Sequence, residues 1–192
     1  MSARAAEPGA AARSAEDAVL DAWRINARVT RLLVEKLPAR IWGAGLPGSP
    51  RRTLRGIAAH LHNSRGLWMR GLAVGTGLPV PRKVDPRTVA RRDLVRALDE
   101  SGAAILALLE AGQRNGGDFP GVASAFYFGA MPREVTLFTA YAIAHEAHHR
   151  GQLVTMAREL GCRLPQSAVA GLWQWSSRLR EARARPRAGA LR

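Results

Sequence analysis

The five histidines of this chain fall in two short clusters, His60 with His62, and His145 with His148 and His149. Neutral imidazole is the commonest protein ligand for zinc, nickel and related metals. Residues four apart on a helix lie one turn apart on the same face, so His145 and His149 point the same way. They continue a line through Phe138, Tyr141, Ala142, Gln152, Met156 and Leu160, which predicts the core-facing stripe of a helix. Two imidazoles on that stripe project into a bundle, where a facing helix can supply a third nitrogen. His60 and His62 flank the apolar face centred on Leu54, Leu61 and Trp68 at similar angles, and periodicity does not choose between them. Three nitrogen ligands leave a position open for water or a substrate atom, as catalytic metal sites do and structural zinc sites do not. The expected cofactor is one divalent ion, zinc or nickel.

The stretch His145-Glu-Ala-His-His149 also fits His-Glu-x-x-His, the pattern in which the glutamate acts as general base of a zinc protease. The longer metzincin form wants a glycine and a histidine where this chain has Gln152 and Thr155. Glu146 sits one position off the stripe. It is expected, with His148 and Gln152, at the rim or behind the ligands, as a solvated or supporting carboxylate. Gly151 inside the helix costs about 1 kcal/mol relative to alanine, which a close helix approach beside the site would explain.

These residues need helices to hold them. Residues 14–37 read as a first helix, capped by Ser14 and closed by Pro38, with Glu16 and Asp17 at its positive end. A connection rich in Gly and Pro covers 38–52. A second helix spans 53–72. A third is expected over 86–113, with Asp85 as cap and Pro86 at its first position. Residues 114–131 read as a loop, in which Phe126-Tyr127-Phe128 could be extended. The fourth helix, 132–160, carries the main cluster and stops at Gly161, before Pro165. A fifth helical segment covers 167–184. No alternating strand pattern is present. The class is therefore all-α, an up-and-down four-helix bundle with an additional C-terminal helical segment.

The expected organisation is a disordered leader at 1–13, the bundle at 14–178, and a basic, partly disordered tail at 179–192. The net charge of +14 is almost all arginine, since the only lysines are Lys36 and Lys83. It reads as compositional arginine bias. Nucleic acid is argued against, because neither a recognised binding motif nor interleaved aromatics accompany the charge. No apolar run approaches the ~18 residues of a membrane span. Cys162 is the only cysteine, so no intrachain disulfide forms, and a reducing cytoplasm is the simplest setting.

His145-Glu-Ala-His-His149-Arg-Gly-Gln152 resembles the signature of the DinB-like superfamily of metal-binding four-helix bundles. Thr53-Leu-Arg-Gly-Ile-Ala-Ala-His60-Leu-His62-Asn-Ser-Arg-Gly-Leu-Trp68 is similar to that family's histidine-bearing second helix, and Trp23 with Asn26 is a weaker match. The resemblance covers roughly residues 15–178. It implies His60 as the upstream ligand, with His62 as its alternative. It also implies a metal-dependent enzyme, since characterised relatives use mycothiol, bacillithiol or glutathione in thiol transfer and isomerisation. Arg65, Arg133 and Arg150 are the candidates for holding a carboxylate-bearing substrate. Two further readings stand beside this one: metal-assisted hydrolysis of a small substrate, and a non-enzymatic metal-binding or stress-response protein. Relatives often associate, so a homodimer is expected. Trp173 and Trp175 either make its contact or close the monomer core.

Overall fold

The structure is a computed structural model that describes residues 14–121 and 131–184. The leader, the Phe126-Tyr127-Phe128 stretch and tail residues 185–192 lie outside the described residues. Helix α1 spans Ala15–Lys36. Its cap is the one expected, with the Ser14 side chain accepting from the Asp17 N–H and both acids in the first turn. After a 3₁₀ turn at Ala39–Ile41, strands β1 (Gly45–Leu46) and β2 (Ser49–Thr53) pair antiparallel. This hairpin was not foreseen, because β2 is almost wholly exposed and lacks the apolar alternation that betrays a half-buried strand. Helix α2, Leu54–Leu72, begins at Thr53, whose hydroxyl accepts from the Gly56 N–H at 3.0 Å.

Helix α3 spans Arg91–Arg114 rather than starting at Pro86. Asp85 instead closes a separate turn, accepting from the Arg87 N–H at 2.8 Å and the Thr88 hydroxyl at 3.1 Å. A short polar side chain satisfies local backbone donors equally well in a turn and at a cap, and here Asp85 serves the turn. Helix α4 spans Val135–Glu159 and stops as expected at Gly161, whose φ of 72° suits glycine. The C-terminal segment is two helices, α5 (Gln166–Trp173) and α6 (Trp175–Ala184), broken at Gln174.

Helices α1 and α2 each pack against both α3 and α4, closing a four-helix bundle. Arg31–Asp99 at 2.9 Å and Arg24–Glu110 at 3.4 Å show α1 running antiparallel to α3. Trp68 against Phe138 and His60 against His149 show the same for α2 and α4. Helices α2 and α3 run in the same direction, so the helix directions read up, down, down, up. The connection over residues 73–90 makes this possible by returning along the bundle. His62 pins it with Nε2 at 2.8 Å from the Arg82 carbonyl, and Asn63 pins it through both the N–H and the carbonyl of Val84.

The core has two apolar halves. Leu33, Val34, Leu54, Leu61, Leu98 and Leu153 fill one, and Trp23, Trp68, Met69, Ile105, Leu108 and Phe138 fill the other. Between them, at the same level of all four helices, lies a buried polar layer of Asn26, Thr30, Arg65, Ser101 and Glu146. Helix α6 runs beyond residue 178 and docks on α1, with Arg28 Nε donating to Glu181 at 2.9 Å. The first residues of the basic tail are thus ordered by ion pairs. Trp173 and Trp175 are 77% and 52% exposed, so they do not close the core. Among the described residues, no helix is long and apolar enough to cross a membrane.

Candidate metal centre

His60 from α2 and His145 and His149 from α4 converge. Each offers one ligand atom, and these atoms lie within 4.8 Å of one another. The ring centroids are 4.6 Å apart for His60–His149 and for His145–His149, and 5.3 Å apart for His60–His145. The antiparallel packing of α2 on α4 sets this geometry, because it brings the first half of α2 opposite the second half of α4. Trp68 meets the His145 ring edge-on at 5.2 Å and Tyr141 stacks on it at 6.2 Å, so aromatic walls fix that imidazole from the α2 side and along its own helix.

All three imidazoles are held neutral. Burial, then the neighbouring His149 and His60, push His145 down to about 4. Burial lowers His60 and His149 as well, with His149 and Arg52 adding to the effect on His60. A neutral ring is the form that ligates metal. His149 Nδ1 lies 2.9 Å from Gln152 Oε1, an oxygen that can only accept. Nδ1 therefore carries the hydrogen and Nε2 keeps its lone pair, the outer-shell arrangement typical of metal-bound histidine. His145 Nδ1 is buried without a hydrogen-bond partner in the protein. Three neutral nitrogen donors around one point, one of them with an orphaned ring nitrogen, fit a divalent ion.

A cleft of about 440 Å³ ends on His60 and His149 and is lined by Ser49, Arg51, Arg52, Thr53, Gly56 and Ile57. The unforeseen hairpin builds its wall. Ser64, with its hydroxyl 3.2 Å from His60 Nε2, Arg51 and Arg52 are the residues around the centre that sequence reasoning missed, while Tyr141 lies beside His145 as its place on the stripe implies. The arginines lie in a stretch without periodicity, where nothing in the sequence signals their proximity to His149, far downstream on α4.

Several expectations are corrected. His62 is buried with Nδ1 2.9 Å from the Ala97 carbonyl and Nε2 2.8 Å from the Arg82 carbonyl, so it faces α3 and the return segment instead of the cluster. Glu146 is neither solvated nor at the rim. It is fully buried and bidentate with Arg65, Nε to Oε1 at 2.6 Å and a second guanidinium nitrogen to Oε2 at 2.9 Å. Oε2 also accepts from Asn26 Nδ2 at 2.9 Å and from the Thr30 hydroxyl at 2.7 Å. With its oxygens so committed, Glu146 is no general base for a ligand at the imidazoles. Arg65, fully buried in that pair, cannot hold a substrate. Arg150 donates to Asn26 and Thr30 on the α1 side of α4, and Arg133 is exposed and does not line the cleft. His148 is exposed, and Gln152 Nε2 donates to it at 2.6 Å. Gly151 is not a close-approach glycine, since a Cβ there would meet nothing within 4 Å.

His62→Ala is expected to retain metal while losing about 1–3 kcal/mol of stability, because it strands the buried Ala97 carbonyl and unpins the return segment at Arg82. Metal analysis beside urea denaturation checks this, and loss of metal with the fold intact would reinstate His62 as the ligand.

Fold and site together define a helical bundle with a three-histidine group able to hold a metal ion. The model of the DinB family matches residues 11–181, and the chain belongs to that family. Neither a curated protein nor a solved structure gives a significant match.

Proposed function

We propose that the protein is a divalent-metal enzyme that activates the thiol of a low-molecular-weight cosubstrate for transfer to a small electrophile. His60, His145 and His149 would hold the ion, and their all-nitrogen donor set suits zinc or nickel. A divalent metal bound there supplies Lewis acidity, which lowers the pKa of a coordinating thiol into the neutral range. The chain's own residues do the rest. Gln152 orients His149, while Trp68 and Tyr141 hold His145. Arg51 and Arg52, on the exposed hairpin, give the cleft a positive rim that favours an anionic cosubstrate.

The observation that carries this reading is the composition of the cleft. It opens on neutral imidazoles and contains no carboxylate among its described lining residues. A thiol that the metal acidifies needs no protein base. Hydrolysis assisted by a carboxylate base would need one, and Glu146 is committed to Arg65. A reducing cytoplasm suits this reading, because small thiols stay reduced there.

The test is cobalt substitution followed by titration with mycothiol, bacillithiol and glutathione. One of them is expected to give a sulfur-to-cobalt charge-transfer band that is absent in His145→Ala. Cys162→Ser is expected to keep the band, since Cys162 is buried and the cosubstrate supplies the sulfur. If acetate or phosphate perturbs the cobalt spectrum and no thiol does, hydrolysis replaces transfer. If no small molecule perturbs it, the non-enzymatic reading takes its place.

A further inference from the structure

On the side of α4 away from the imidazoles lies a second cleft, of about 450 Å³, between α1, α4 and the α5–α6 arm. Its volume falls within the range of small-molecule sites. Ala22, Val29, Ile143, Ala147, Trp173 and Trp175 give it an apolar wall. Its polar end is formed by Asn26 and Arg150.

Three independent observations bear on what it holds. The first is charge. Arg65 and Arg150 flank the single carboxylate of Glu146, at 2.6 Å and 3.7 Å. Two cations share one anion, which leaves one positive charge in excess at the polar end, on a side chain only 15% exposed. No carboxylate lines the cleft among the described residues. The second is the glycine. Gly151 sits in the middle of α4, where glycine weakens a helix, and no packing contact requires it, since an added Cβ meets only open space. It lines this cleft, and any larger residue would project into the space. The third is the pair of tryptophans at the mouth. They are the two most exposed of the five, while Trp23, Trp42 and Trp68 are buried. Large flat side chains left in water beside an apolar cavity are poised to cover an apolar body.

We infer that this cleft is a second ligand site, which takes a small amphipathic carboxylate with its head at Arg150 and Asn26 and its aryl or medium-chain alkyl body under Trp173 and Trp175. It shares no residue with the cleft at His60 and His149, so it stands independently of the function proposed for the metal centre.

The experiment titrates the full chain with decanoate, decanol and acetate and follows tryptophan emission, with and without added zinc. Decanoate is expected to shift the emission and saturate at one site, with or without the metal. Decanol, which keeps the body and lacks the charge, is expected to bind about tenfold or more weakly, a difference of ~1.4 kcal/mol. Acetate alone is expected to give no shift. Gly151→Leu is expected to unfold at the same temperature as the parent or higher, and to lose decanoate binding. Trp173→Ala is expected to weaken it with the fold intact. Equal binding of decanol and decanoate would overturn the assignment of the carboxylate head. A folded Gly151→Leu that binds decanoate undiminished would overturn the site. So would a mass of twice 20.7 kDa that returns to monomer in Trp173→Ala without any response to decanoate, which would make the face a contact for a second copy of the chain.

Discussion

Glu146→Ala is expected to cost about 3–5 kcal/mol of folding stability, the range for breaking a buried pair by removing one partner. Glu146 and Arg65 are both fully buried and bidentate, and Arg65 also donates to the Leu98 carbonyl at 2.9 Å while lying 5.1 Å over the Trp23 ring. Removing the carboxylate leaves Arg65 and the largely buried Arg150 as uncompensated cations, and strands the Asn26 amide and Thr30 hydroxyl. A domain of this size has only about 5–15 kcal/mol in total, so the variant should sit near the edge of folding. Urea denaturation measures it, and a loss under about 1 kcal/mol would sink the claim. Replacing both partners, as in Arg65→Met with Glu146→Leu, should be milder than Glu146→Ala alone, because the fully buried Arg65 cation then goes with its anion and only Arg150, 15% exposed, loses its partner. The pair also sets an acid limit. Burial alone would push the Glu146 carboxyl up, but Arg65 first and then Arg150 and Thr30 hold it below its ordinary value of 4.5. The unfolded chain therefore takes up the proton first as pH falls. The contribution is fully present above about 4.5 and is lost as pH drops through the folded value.

How much of this was legible in the sequence depended on what kind of signal each residue carried. The helices announced themselves through periodic apolar stripes, a cap such as Ser14, and a stop such as Gly161. The convergence of His145 and His149 followed from their spacing of four. The third ligand did not follow. His60 and His62 stand symmetrically about their stripe, and only the tertiary direction of α2 separates them. The clue to Arg65 and Glu146 was present and was misread. Arg65 falls on the line Leu61, Arg65, Trp68, Leu72, and Asn26 and Thr30 fall on Trp23, Asn26, Thr30, Leu33. Polar residues at core positions of two helices, with a glutamate between Ala142 and Leu153 on a third, are the mark of a buried network. Charged residues are almost never fully buried unless paired, which made the surface reading the natural one for each arginine taken singly. The hairpin carried only the turn signal of Pro47-Gly48, since an exposed two-stranded ribbon needs no apolar alternation to mark its strands.

His145→Ala and His149→Ala are each expected to abolish stoichiometric metal in a protein that stays folded. Among the described residues no further donor joins the three-histidine group, because His62 faces α3 and the exposed His148 is held by Gln152. Gln152→Ala should keep the metal but bind it about 10–100-fold more weakly, the usual effect of removing an outer-shell partner. Metal bound only by the native state stabilises it by about 2.7 kcal/mol at a free concentration 100 times Kd. The parent's denaturation midpoint should therefore rise with added zinc, and that of His145→Ala should not move. The pH dependence follows from the same imidazoles. In the metal-free protein His145 titrates near 4 instead of 6.5, so between these values the unfolded chain binds the proton and the native state does not. Stability thus falls as pH drops through that window and stops falling on this account below it. For metal binding the shift works in the protein's favour. Protons compete with the ion only at lower pH, and release should centre below 6.5 when bound metal is titrated with acid. If His148→Ala strips the metal and His149→Ala does not, the ligand-bearing face of α4 has been misassigned.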